Sequence, residues 1–363
     1  MRRFVRSILF LTVAALPRVA AAQITPAAAI TPPDDTPSVS VGATIFMNYT
    51  FTASPDATDA DGNTISPNAF DANRAYININ GKINHAITFR ITPDVVRASS
   101  VGNSAVFRIK YAYAQYSLDD WTGNWTGTWV RFGIHHTPLV DYEEGIYRYR
   151  FQGPVFAERV GKLTSSDAGV SFHSTLPANR GEVHVGIYNG EGYSTIEANN
   201  EKAVQMRFTV RPFATGALAP RGLRVTVFYD ADNYAQADER TRFVAEGTFE
   251  QAHVNAGIHY LQAKDQTTRT ATDIDGRGYS LWVTPIFKQK GNGPELLVRY
   301  DSWEPNRTSS SVKQNTLIAG FAYWFPHEAS VAAALLFDYE RTKYPGTETP
   351  TQDKVGLHGL ISF

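Results

Sequence analysis

The stretch from Asp353 to Phe363 reads D-K-V-G-L-H-G-L-I-S-F, and it leaves little choice of fold. Counting back from Phe363, the alternate positions Ile361, Gly359, Leu357 and Val355 are apolar or small, while Ser362, His358 and Lys354 face the other way. A period of two puts these sets on opposite faces of a β-strand. One face is oily, the other is polar, and the strand finishes on an aromatic. Such a strand needs an apolar medium on one side, water on the other and a partner along each edge. The pattern predicts the closing strand of a transmembrane β-barrel, paired back to the first strand of the chain.

The amino terminus fits export. Arg2, Arg3 and Arg6 precede a short apolar core from Ser7 to Leu16, and Ala20-Ala21-Ala22 before Gln23 supplies a small-residue cleavage site. This predicts a secretory signal peptide over 1–22, too short and wrongly flanked for a membrane helix. Residues 23–37 hold four prolines and no periodic pattern, and read as a tail or linker ahead of a barrel domain over 38–363. A mean hydropathy of −0.27 would class the rest of the chain as soluble. That test is blind to a barrel, in which outward and inward residues alternate and cancel. The 18 tyrosines, 21 phenylalanines and 6 tryptophans supply strand-forming and interfacial side chains. The lack of cysteine is compatible with an exported protein built without disulfides. A formal charge of −1 identifies no partner, and no nucleic-acid partner is expected.

Alternation recurs along the chain. Val39 to Phe51 has apolar odd positions, and a polar loop follows to Asn73. A second strand then sets Ala75, Ile77 and Ile79 against Tyr76, Asn78 and Asn80. Past a tight turn at Asn84-His85, Ile87, Phe89 and Ile91 oppose Thr88 and Arg90. Further strands are expected near 104–117, 127–136, 167–176, 181–190, 201–212, 222–231, 240–250, 253–263, 277–290, 294–303, 313–326 and 329–341. With 353–363 they make sixteen. Short and long connections alternate, as they do between the periplasmic and external sides of outer-membrane barrels. The links 118–126 and 213–221 are the exceptions. The expected fold is therefore all-β, an antiparallel barrel of about sixteen strands.

Parity sorts the side chains. Val204, Met206, Phe208 and Val210, and likewise Val331, Ala333, Leu335 and Phe337, form the expected lipid band. Tyr49, Phe51, Trp121, Trp125, Tyr300 and Tyr339 are placed in its aromatic girdles. Arg90, Arg108, Lys110, Arg131, Arg207, Arg211, Arg224, Arg242, Lys288 and Arg299 point inward, against Glu246, Glu250, Asp301, Asp338 and Glu340. A charge in the lipid band costs roughly 2–4 kcal/mol, so these residues are assigned to a wet, net basic lumen. Rings of unpaired Arg and Lys favour anions, whereas a salt-bridged interior favours neither sign.

The segment from Thr137 to Ser166 is rich in apolar residues, with Leu139, Val140, Tyr142, Ile146, Tyr147, Tyr149, Phe151, Val155 and Phe156. A loop in water has no use for them, so it is expected to fold into the barrel. There Asp141, Glu143, Glu144, Arg148, Arg150, Arg159 and Lys162 would form a pore constriction. An external cap or a subunit contact is the alternative.

R-F-G-I-H-H-T-P-L, from Arg131 to Leu139, follows the aromatic strand K-Y-A-Y-A-Q-Y from Lys110 to Tyr116. Together they resemble the phosphate-selective porin O and P family, in which a strand carrying Gly, then Pro a few residues on, leads into the constriction loop. Gly133 and Pro138 match that pattern. The resemblance implies a sixteen-stranded, usually trimeric porin that passes small anions through the outer membrane. Lipid, lipopolysaccharide and the barrel-assembly machinery, the last engaged through the strand ending in Phe363, would be its partners. Asp141, Glu143 and Glu144 depart from a purely basic constriction, which bears on phosphate selectivity more than on porin function.

Other chemistry is thin. His135, His173, His184, His259 and His358 face inward on separate strands without ligand spacing, so no metal or cofactor is expected. The loop Asp56 to Asn63 lacks the carboxylates of a calcium loop. Asp167, Ser171 and His173 are close in sequence but have no identifiable oxyanion hole. A diffusion porin leads, ahead of a barrel enzyme and a plugged structural or adhesive barrel.

Overall fold

The computed structural model describes residues 34–98, 102, 104–197, 199–214, 222–233, 239–266, 272–307, 313–327 and 331–363. The expected signal peptide, most of the tail and parts of several connections, including 215–221 of the link 213–221, lie outside the described residues. Met1–Asp34 and Asp35–Phe363 form separate units, and the second holds the barrel.

β1 (Ser38–Ser54) leads through a small hairpin, β2 (Ala57–Thr58) and β3 (Thr64–Ile65), into β4 (Asn68–Lys82), β5 (Ile87–Ala98), β6 (Ser104–Ser117) and β7 (Thr126–His136). Then come β8 (Ser166–Thr175), β9 (Gly181–Tyr188), β10 (Ala203–Val210), β11 (Leu223–Asn233), β12 (Glu239–Glu250) and β13 (Val254–Asp265). β14 (Ile274–Pro285), β15 (Gly293–Glu304), β16 (Gln314–Trp324), β17 (Ala332–Lys343) and β18 (Gln352–Ser362) complete the wall. All except β2 and β3 form one closed antiparallel barrel, with β1 between β4 and β18. The seam closes in register, Met47 opposite Gly359 and Tyr49 opposite Leu357. Ala43 and Phe363 exchange two backbone hydrogen bonds of 3.0 Å beyond the last paired residues.

Side-chain placement is inverted relative to a water-soluble sandwich. On β10, Gln205, Arg207 and Thr209 are buried while Val204, Met206, Phe208 and Val210 are exposed. The apolar face therefore looks outward all round, as the parity predicted.

Three expectations are corrected. The second barrel strand begins at Asn68, well before Ala75, because β1 runs on to Ser54 and keeps pairing past a bulge at Phe46/Met47. The polar connection between β1 and β4 is spanned by β2 and β3, with Asp59 accepting the backbone N–H groups of Asp61 and Asn63 across their turn. Lys288 is not on the wall. β14 stops at Pro285, which has no N–H to give the ladder, and Lys288 sits exposed in the turn that follows. The link 118–126 contains a one-turn helix, α1 (Asp119–Thr122), on which Trp121 is exposed.

Candidate pore constriction

The connection between β7 and β8 turns into the lumen. Its base is pinned where Thr137 N–H and Oγ1 donate to the carbonyls of Ser165 and Thr164. Just before it, Gly133 adopts φ +119°, and a Cβ there would stand 2.3 Å from the Ala112 carbonyl oxygen. Only glycine lets β7 lie this close to β6.

The segment carries two helices, α2 (Val140–Tyr147) and α3 (Phe156–Arg159). Leu139, Val140, Ile146, Tyr147, Tyr149, Phe151, Val155 and Phe156 are all buried. They form one cluster with wall residues Phe228, Val244, Leu261, Trp282, Leu297, Trp303, Ile318, Trp324 and Leu336. This is a water-soluble type of core built inside the barrel, packed mainly against β11–β17 and reaching Phe46 on β1 and Tyr76 on β4. Burial of this apolar area at roughly 25 cal/mol per Å² is what holds the loop in.

The predicted constriction residues are brought into this layer, where most are tethers. Arg148 Nη2 and the Tyr149 hydroxyl both donate to Glu295 Oε2 at 2.7 Å, and Glu295 Oε1 accepts the Gly291 N–H. Arg159 pairs with Glu340 at 3.0 Å and Lys162 with Asp265 at 2.7 Å. Arg150 bridges Glu144 and Glu158 within the loop itself. Glu143 is buried against β12 and β13, whereas Asp141 is about half exposed, 3.4 Å from His136.

The predicted lumen cations divide into two groups. Arg207, Arg242 and Arg299 lie beneath the loop, donating to the carbonyls of Pro138, Lys162 and Pro154. Their carboxylate partners are Glu182, Asp265 and Asp301. Arg211 and Arg224 pair with Glu182 and Glu250, and Arg108 shares Asp94 with Arg74. Arg90, Lys110 and Arg131, on adjacent strands β5, β6 and β7, have no carboxylate within ion-pair distance among the described residues. They rest on aromatic faces instead: Arg90 on Tyr111, Lys110 on Tyr76, Arg131 on Trp129 and Tyr113. The rings hold the cations by their quadrupoles without cancelling the charge.

Space remains on the side the loop does not cover. A polar cavity of about 170 Å³ lies between Gln152 of the loop and Asn48, Thr50, Asn73, Asp338, Glu340, Lys354 and His358.

Parity alone missed Asp94, Glu182, Asp265 and Glu295 as inward anions. Their alternation with apolar neighbours was a usable signal. The sequence-adjacent Asp167, Ser171 and His173 do not assemble. Ser171 Oγ is 2.7 Å from His135 Nε2, Asp167 caps backbone N–H groups, and His173 turns to Glu182 and the Gly127 carbonyl.

No protein-family model and no curated protein matches the chain. Solved structures do. An anion-selective porin from Comamonas acidovorans aligns over 90% of this chain and 100% of its own at 12% identity, TM-score 0.62. A loop-deletion form of OmpT, an outer membrane protein of Vibrio cholerae, aligns over 91% and 100% at 14% identity, TM-score 0.62. OmpF of Salmonella typhi, in complex with daunomycin, aligns over 90% and 97% at 14%, TM-score 0.61. The fold is the porin fold. These porins share the sixteen-stranded wall, and the narrower phosphate-selective O and P family is not shown by them.

Proposed function

We propose that this chain is an outer-membrane porin, a water-filled channel for passive diffusion of small hydrophilic solutes, with a preference for anions that extends to phosphate. One observation carries the preference. Arg90 and Arg131, part-exposed to the lumen, and the buried Lys110 on the strand between them have no ion pair among the described residues to compensate their charge, while the other wall arginines named above are paired. Rings of unpaired cations raise the local concentration of anions and repel cations. Asp141 opposes them from the loop, which favours moderate selectivity over a purely basic filter. A trimer fits the reading, since OmpT of Vibrio cholerae has been solved in a form described as a trimer.

Among the described residues no acid–base or nucleophilic constellation is assembled at the rim to support an enzymatic barrel, and the cavity beside Gln152 speaks against a complete plug. The test is single-channel current in a planar bilayer, with the zero-current potential read across a KCl gradient. Open steps with a potential of the anion-selective sign are expected, followed by block with added phosphate. A cation-selective sign would hand control to Asp141, and silence would revive the plugged barrel.

A further inference from the structure

Where α2 meets the wall, three ligand-type side chains converge from three elements. Glu246 on β12 and His259 on β13 are directly opposed across the sheet, both facing inward, and Glu143 comes down on them from the first turn of α2. Their carboxylate oxygens and ring nitrogens lie within 4.8 Å of one another, and all three side chains are more than nine-tenths buried. Glu246 Oε1 and Oε2, Glu143 Oε2 and both nitrogens of His259 have no hydrogen-bond partner. His259 Nδ1 is 3.2 Å from Glu143 Oε1, but outside hydrogen-bond geometry.

Two buried carboxylates facing each other cost several kcal/mol unless something balances them. The arginines whose charge reaches the cluster do not do so by pairing, since Arg207, Arg224 and Arg299 are committed to Glu182, Glu250 and Asp301. A single divalent cation would neutralise both carboxylates and occupy the orphaned imidazole at once. We propose that Glu143, Glu246 and His259 form a binding site for a divalent transition-metal ion of the zinc class, which staples α2 to the barrel wall. One imidazole with two carboxylate oxygens is a zinc-type donor set, whereas calcium and magnesium take oxygen alone. Bonds of about 2.1 Å require the ligand atoms to close from their present spacing by small side-chain rotations. Phe156, edge-on to the imidazole at 5.5 Å between centroids, keeps that ring from swinging away. The site is independent of whether the lumen conducts.

The test uses the full-length protein in detergent, equilibrated with zinc chloride and separated from excess by gel filtration. About one zinc per chain should be retained by elemental analysis and stripped by EDTA. Glu246→Gln and His259→Gln should each weaken binding at least about tenfold. Glu143→Gln, which alters only the loop, should do the same and keeps the test open if the wall variants fail to assemble. His173→Gln, at a separate histidine–carboxylate contact on β8, should bind zinc as the parent does. No retained zinc, retention that survives Glu143→Gln, or loss on His173→Gln would overturn the assignment. So would an unfolding midpoint that moves with pH yet ignores both zinc and EDTA, the behaviour of a cluster that merely shares protons.

Discussion

Arg131 lies 3.9 Å above the Trp129 ring, with Gln115 and His136 as its hydrogen-bond partners and no acid to quench it. Replacing it by glutamate changes the charge beside the open side of the lumen by two units. At about 4 Å in a water-like dielectric that is worth roughly 2 kcal/mol for a passing ion. Arg131→Glu should therefore move the permeability ratio toward cations several-fold, read as a shift of the zero-current potential. Arg207→Gln, beneath the loop, should leave ion preference alone and loosen the loop. A second residue-scale device lies in the turn after β4. There His85 donates its backbone N–H to Asp35, and its ring nitrogens lie 2.6 Å from Asp35 and 2.9 Å from Asp120. Hydrogen bonds from Asp35 first, then Asp120, raise its pKa above the usual value. The protonated form is the tethered one, so the contact is complete below a pH of about 6.5 and is lost as pH rises through the raised value. Hydrogen exchange at the His85 amide, corrected for intrinsic rate, should quicken over that rise, and Asp120→Asn should lower its midpoint.

The β7–β8 loop is the element that builds the core inside the barrel. Its inward fold was legible in its composition, because nine apolar side chains between Thr137 and Ser166 had nowhere else to go. Its helices were not legible. V-D-Y-E-E-G-I-Y includes Gly145 and β-branched residues, poor helix formers, and α2 exists because the wall packs against it. The anchors were half legible: parity put Arg207, Arg242 and Arg299 inside, but only the folded loop shows that they donate to its carbonyls. Glu295 concentrates this anchoring, accepting from Arg148, Tyr149 and Gly291 while fully buried. Glu295→Ala strands a buried guanidinium and should cost about 3–5 kcal/mol. Limited proteolysis within 137–165 should become rapid, with the barrel itself still resistant.

Across the whole molecule, period-two alternation located all sixteen wall strands because every one has a wet side and a dry side. It erred where a strand's end is set by something other than alternation: Pro285 ends β14, and the β1 register extends β4 back to Asn68. Closure depends on β18, where Phe363 exchanges two main-chain hydrogen bonds with Ala43. Deleting Phe363 should slow assembly into lipid vesicles, measured by the heat-sensitive gel mobility of the folded form. The loop core also divides the lumen of the barrel unevenly. Behind β11–β17 stands a close-packed second layer that reaches across to Phe46 on β1 and Tyr76 on β4, while a polar cavity lies between Gln152 and the polar residues of β17, β18 and β1. The loop therefore acts as a strut, tying the wall strands behind it to the seam strands opposite.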